Sequence, residues 1–419
     1  MSNQASAIDQ EPRPEKRLKG LFTPRITFVL AVAILSSASL YMVQPFLVVY
    51  FHEAVGFSTD AAGLLAALPF LAAFLFGIPG GYVADRLGPV RVFSMAMVVY
   101  AISIGLVAFT HTFLWAVILM LASGLAIPVT TSSLSAILNY SAKPEHRGTL
   151  QNYLYWSGNL GVVLGLLVSS QFLAAGHSNR PLIWMAAIRL GLGVLAFGVL
   201  AGAFAGKSQA EESPPEKPRP SMAAAFKLAF TDKALLFVAS TFLLMAVAEA
   251  QWSATVPLYF AGHFLRGTTL YGPLLAVQAV IVVLCQPLAV KLFAKRKPAP
   301  IFAMGIILLG VGLAFGGFLG TLWAWIIGTV LYAVGEVIAS TKFNNLLGEL
   351  PTPGNSALYF ATISSGQYLA FLLGIALGVV VYRTFSPPAL FGSMIGIALI
   401  AAYLFYRATI SQKSRTAQE

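Results

Sequence analysis

AGLLAALPFLAAFLFGIPGGYVADRLGPVRVFSMAMVVYAISIGLVAFT, residues 62–110, holds two apolar runs, 62–83 and 90–110, joined by one short charged turn. Each run has the roughly 20 residues that a helix rising 1.5 Å per residue needs to cross a bilayer's hydrocarbon core. Neither alternates apolar with polar residues over about ten positions, the pattern of a transmembrane β-barrel strand. Working outward, ten more stretches read the same way: 26–51, 112–139, 148–174, 182–204, 234–261, 270–293, 300–319, 322–347, 356–382 and 388–407. The fold expected is an all-α polytopic membrane protein with twelve transmembrane helices.

Composition agrees. Of 419 residues, 58% are hydrophobic and 10% charged, whereas a soluble globular chain carries about 25% charged residues. The surface of two or three soluble domains could not be covered with so little charge, which excludes a soluble enzyme or an ordinary nucleic-acid-binding protein. The same figures exclude disorder for most of the chain. The single cysteine, Cys285, lies in an apolar run, so neither an internal disulfide nor a cysteine-based metal site is available.

The net charge of +11 is accounted for by placement. With both termini inside, cytoplasmic segments hold 22 of the 26 Lys and Arg residues, while Arg180, Arg266 and Arg383 stand outside and Arg189 lies within a span. That bias is the positive-inside signature, and it needs no nucleic acid. Residues 1–25 are polar and basic and lack the short apolar core of a secretory signal. They read as a retained cytoplasmic tail, with a second tail at 408–419.

The longest internal loop, 206–233, is rich in proline and mixed charge and reads as a cytoplasmic linker, with 223–230 fit for a short amphipathic helix. It separates a bundle over 26–205 from one over 234–407. Ser157-Gly158 and Ser365-Gly366 recur at an offset of 208, as do Pro79 and Pro287. Two pseudo-symmetric six-helix bundles are therefore expected, an arrangement that places a substrate cavity between the halves near the bilayer midplane.

The turn after the second span reads GGYVADRLGPVRVF, residues 80–93. Gly81 admits close helix approach, Gly88 a sharp bend, and Asp85 suits the positive end of a neighbouring helix. Arg86 and Arg91 complete the pattern. Together with twelve spans in two halves, this Gly-x-x-x-Asp-Arg-x-Gly-x-x-Arg signature resembles the major facilitator superfamily, and its multidrug/proton antiporter-like branch. Pro144-Glu145-His146-Arg147-Gly148 after the fourth span adds a supporting likeness. Pro89-Val90 departs from the family, which often has basic residues there. The resemblance implies rocking-bundle alternating access, with the motif stabilising one conformation against the start of the eleventh helix. There Asn355 or Ser356 is fit to cap the helix, and Asp85 to sit against its N-terminus. The alternative is a loop that only fixes topology.

Charged residues inside spans cost several kcal/mol each (about 3 or more at the centre), so the few present narrow the search. Glu249 in the seventh span and Glu336 in the tenth are proton-coupling candidates, because a carboxyl among apolar residues is held more cheaply with its proton than without. Arg189 in the sixth span either snorkels or pairs with a glutamate. Candidate cavity residues are Tyr41, Gln44, Thr131, Tyr155, Asn159, Trp252, Gln367 and Tyr368. Each has interhelical hydrogen bonding as its competing reading. An aromatic, amide-lined pocket suits amphipathic or weakly charged organic solutes. The missing helix-5 proline departs from the family's antiporters. No histidine pair has metal-ligand spacing and no phosphate-binding loop is visible, so neither a cofactor nor direct ATP drive is expected.

The expected function is secondary active transport, with proton-coupled efflux of drug-like or amphipathic compounds. A proton-coupled sugar or peptide symporter is the alternative, and a non-transporting membrane receptor a more remote one. The expected partners are a small-molecule substrate, protons and the lipid bilayer, with no nucleic acid. The expected location is the cytoplasmic (inner) membrane, with both termini inside and the protein a monomer.

Overall fold

A computed structural model describes residues 22–44, 47–174, 179–205, 221–265 and 267–416. Most of the N-terminal tail, linker residues 206–220 and the last three residues lie outside the described set. Among the described residues twelve helices of 18 residues or more follow one another. They are α1 Pro24–Tyr41, α2 Thr59–Leu87, α3 Pro89–Val107, α4 Phe113–Ser141, α5 Arg147–Ala174 and α6 Arg180–Ala205. Then come α7 Lys233–His263, α8 Gly267–Phe293, α9 Pro298–Leu319, α10 Leu322–Glu349, α11 Ser356–Thr384 and α12 Pro387–Thr416. There is no strand among the described residues.

Eleven of the twelve are apolar enough to cross a membrane over an 18-residue window. Helix α5 carries Gln151, Asn152 and Asn159 in its first half and is mostly apolar in its second. Gln151 and Asn152 bond neighbouring helices, as shown below. The first span, expected at 26–51, breaks after Tyr41; the chain turns at Met42–Gln44 and resumes as the short helices Leu47–Val49 and Tyr50–Ala54. The sequence has a proline at 45, a residue type that does not continue a helix. In the linker, Met222–Thr231 forms a short helix whose N-terminus is capped by Ser221, whose Oγ accepts from Ala224 N at 3.2 Å.

The two halves repeat one packing plan. α1 packs on α5 as α7 packs on α11; α2 on α4 as α8 on α10; α3 on α4 and α6 as α9 on α10 and α12. Between the halves, α2 and α4 meet α11 while α8 and α10 meet α5, which is the same contact exchanged by a two-fold axis. Glycines make the matching seams. Gly161 and Gly165 of α5 lie against the backbone of α1 at Ile34 and Ala38, and Gly366 and Gly374 of α11 lie against α7 at Ala239 and Val247.

The tightest seam joins α9 and α10. A Cβ on Gly305 would strike Ala339 and the Gly335 carbonyl, and one on Gly312 would strike Gly328 and Tyr332. Backbones at contact distance are the usual source of helix association in lipid, where apolar side chains gain little by leaving the bilayer. Gly328→Leu is therefore expected to lower thermal stability in detergent by at least the roughly 1–3 kcal/mol of an overpacked core. Gly396→Leu, at an exposed site with nothing within 4 Å of the added carbon, should be neutral. Equal melting temperatures for the two variants would refute the seam.

Candidate functional site

The halves are joined most extensively on the face where both termini lie. Gly81 brings α2 onto α11 so closely that a Cβ would strike the Ala357 carbonyl and Leu358. Four residues on, Asp85 reaches the first turn of α11: Oδ1 accepts from Ala357 N and Oδ2 from Leu358 N, both at 2.8 Å. The Tyr140 hydroxyl donates to Asp85 Oδ1 at 3.0 Å and accepts from Ser356 N at 3.4 Å. The first N–H groups of a helix have no partner within it and carry partial positive charge. Here a carboxylate from the other half supplies the cap. Asn355 does not, because its amide turns back to Thr352 Oγ1 at 3.1 Å. Gly88 joins α2 to α3 at φ +94°, a conformation that favours glycine. Arg86 donates to Tyr82 on its own helix at 2.8 Å, and Arg91 is exposed.

On the pseudo-symmetric side the join is made of amides. Asn152 of α5 donates to Thr341 O at 3.1 Å and Asn345 Oδ1 at 2.7 Å, and accepts from Gln286 Nε2 at 3.2 Å. Asn139 of α4 donates to Gly348 O at 3.1 Å and accepts from Gln151 at 3.0 Å. Gly148 and Gly348 let the two backbones touch.

Farther in, the polar residues of the spans converge. Glu249 and Glu336 each lie near the centre of their helices, of 31 and 28 residues, and interact electrostatically with one another. Glu336 Oε1 accepts from the Tyr155 hydroxyl at 2.5 Å and Oε2 from Gln278 Nε2 at 3.0 Å. Gln278 Oε1 accepts from the Trp252 indole. Trp252 stacks on Tyr332, with centroids 5.2 Å apart at 18°, and its carbonyl accepts from Tyr271 at 2.6 Å. Gln367 hydrogen-bonds Glu249, Thr131 hydrogen-bonds Tyr368 across the halves, and Tyr41 lies within electrostatic range of both glutamates. A belt of polar and aromatic groups from both halves thus surrounds two carboxylates.

Gln44 is half-buried in the turn beyond α1. Asn159 donates to the carbonyl of Tyr155 on its own helix at 3.0 Å. Arg189 requires a correction, because it neither snorkels nor meets a glutamate. It is buried inside the first bundle, donating to Ser39 Oγ at 3.1 Å and Ser36 O at 3.0 Å, with its guanidinium 4.1 Å from the Tyr100 ring centroid. The hydroxyl, carbonyl and ring face are nearer than any carboxylate and together replace its water. Two contributors escaped the sequence reading, Gln278 and Tyr332. Tyr332 stands four residues before Glu336, and Gln278 seven after Tyr271, spacings that put each pair on one helix face.

The profile of the Major Facilitator Superfamily matches residues 29–356. The chain belongs to that superfamily. An uncharacterized MFS-type transporter, YqjV of Bacillus subtilis, is 25% identical over 366 residues, 85% of this chain and 86% of that one. The multidrug resistance protein MdtH of Aeromonas hydrophila is 23% identical, covering 81% and 80%. A Na(+), Li(+), K(+)/H(+) antiporter of Planococcus maritimus is 22% identical, covering 78% and 82%. Among solved structures, a bacterial homologue of the iron transporter ferroportin in its outward-facing state superposes with a TM-score of 0.75 at 15% identity, covering 92% and 99%. The chain is accordingly a superfamily transporter embedded in a membrane.

Asp85→Asn tests the cap. An amide offers one accepting oxygen where the carboxylate offers two, and its NH2 would confront an N–H of α11. A charged hydrogen bond contributes about 1.5–3 kcal/mol, so a single cysteine placed at the join should react with a polar maleimide about tenfold faster or more. Unchanged reactivity would mean that the cap does not hold this face shut.

Proposed function

We propose that the protein exports small, drug-like or amphipathic organic solutes by alternating access and drives that export with protons. The observation that carries this reading is the carboxylate pair Glu249 and Glu336, set among Tyr41, Tyr155, Trp252, Tyr332 and Tyr368, with Arg189 committed elsewhere. No cation among the described residues faces the two carboxylates, so they repel and one proton is readily taken up between them. A group that gains and loses a proton between two sides of a membrane is the element that gradient-driven transport requires. The aromatic lining favours flat or amphipathic substrates, and the relatives named for multidrug resistance and for proton antiport lend the direction of transport.

In this reading the face bearing the termini is cytoplasmic, following the distribution of Lys and Arg. The protein works as a monomer in the cytoplasmic membrane, and the cap at Asp85 with the amide join at Asn152 forms the inner gate. The closed gate then corresponds to a state open to the outside. Rocking of one bundle against the other exposes the carboxylates to the cytoplasm.

Proteoliposomes with an imposed pH gradient and a panel of fluorescent organic substrates test the proposal. Wild-type protein should accumulate at least one substrate against its gradient. Glu336→Gln should reduce accumulation to the level of protein-free vesicles yet retain substrate exchange across the membrane. Full accumulation by the Glu249→Gln/Glu336→Gln double variant would remove both carboxylates from the mechanism.

A further inference from the structure

Of the two central carboxylates, Glu336 is held from both halves of the molecule. Its Oε1 accepts from Tyr155 of α5, in the first bundle, and its Oε2 from Gln278 of α8, in the second. Glu249 takes its hydrogen bond from Gln367 of α11, within its own bundle. The donors around Glu336 also fix which form of the carboxyl they suit. An indole N–H can only donate, so the Gln278 oxygen faces Trp252 and its NH2 faces Glu336. The Tyr155 hydroxyl donates to the other carboxyl oxygen, Oε1. Both oxygens therefore accept, as an ionised carboxylate does. A proton on Oε2 would meet the amide N–H of Gln278 head-on. A proton on Oε1 would turn toward the Tyr155 oxygen and oblige that hydroxyl to find another acceptor.

We propose that Tyr155 is the positioning residue that makes closure between the two bundles depend on the ionisation of Glu336. The proposal rests on the proton-coupled reading of the same site and assigns its two carboxylates different tasks. With Glu336 ionised, a charge-assisted bond spans the halves directly above the amide join, where Asn152 lies three residues before Tyr155 on α5. With Glu336 protonated, that bond loses its charge and the join loses a member. Closure is thus favoured above the pH at which Glu336 takes up its proton and disfavoured below it. A proton arriving from the open side would release the inner gate; its departure to the cytoplasm would let Tyr155 bond again and shut it. Glu249, tied to one bundle, stays available to substrate in either state.

The other ionisable groups facing this site are Tyr41 from α1, Glu249 from α7, Tyr332 on α10 itself, Tyr271 from α8 behind Tyr332, and Tyr368 from α11 beside Tyr41. The neighbouring helix α9 offers only glycine and apolar residues. All of these groups are neutral or acidic, so none supplies a positive charge that would hold Glu336 ionised without Tyr155.

Spin labels on Lys143→Cys and Arg296→Cys, exposed on the terminal face in opposite halves, report closure in a Cys285→Ala background. Pulsed electron resonance on the full chain in lipid nanodiscs should show the label separation lengthening as the pH is lowered. Tyr155→Phe removes one oxygen and keeps the ring; it should abolish that pH-dependent lengthening. Glu336→Gln should abolish it equally, and the double variant should add nothing to either single change. A Tyr155→Phe titration with the wild-type midpoint and amplitude overturns the proposal, as does an effect additive with that of Glu336→Gln. The two readings can fail separately. Proton-driven transport with an unaltered Tyr155→Phe titration sinks the positioning role alone. A titration lost in Tyr155→Phe, in a protein whose transport ignores the pH gradient, sinks the coupling and leaves the positioning role standing.

Discussion

A hydrocarbon layer offers a polar group no partner, and this constraint arranges the rest of the molecule. Backbone groups meet it by forming helices. Side chains meet it by finding one another, and where they do so defines the working parts. The amide-rich first half of α5 would be a poor membrane span if it faced lipid. It is turned instead to α8 and α10, where Asn152 alone engages Thr341, Asn345 and Gln286. The polar residues in the first half of α5 are thus those that join it to the opposite bundle.

The two-fold relation between the bundles is close in backbone and loose in chemistry. On one side of the axis α2 meets α11 through a carboxylate that caps a helix; on the other, α8 and α10 meet α5 through neutral amides. At the matched offset the end of α8 carries Phe293, followed by Lys295, Arg296 and Lys297, where the end of α2 carries Asp85, so a second carboxylate cap has no residue to provide it. One join therefore rests on a full charge meeting a helix terminus at the membrane face, and the other on hydrogen bonds between neutral amides, with the Tyr155–Glu336 contact deeper in. Ionic conditions should bear on the first far more than on the second.

Much of this was legible in the sequence. Span number, the two halves and the residues of the turn at Asp85 follow from apolar run length, matched offsets and glycine spacing, all local properties. The partners were harder. Nothing local to Glu336 points to Tyr155, 181 positions away, or to Gln278, whose single amide is lost in an apolar run. Arg189 shows the limit most clearly. Charge complementarity suggests a glutamate, but two serine positions and a tyrosine ring on α1 and α3 satisfy the guanidinium, and hydroxyls and carbonyls are too common in a sequence to single out as its partners. The cap on α11 was similarly obscured by Asn355, a residue type suited to capping that uses its amide elsewhere.

The enclosure of Arg189 has a consequence for how the chain is made. All its partners, Ser36, Ser39, Met97 and Tyr100, precede it in sequence and have entered the membrane before α6 is synthesised. The first bundle can therefore replace the water around Arg189 as soon as α6 is inserted, without waiting for any residue of the second. Asp85 meets Tyr140 within the first bundle but finds the α11 N–H groups, as Tyr155 finds Glu336, only when α10 and α11 arrive. During biosynthesis the first six helices thus form an electrically settled template, on which the later helices complete the join between the halves.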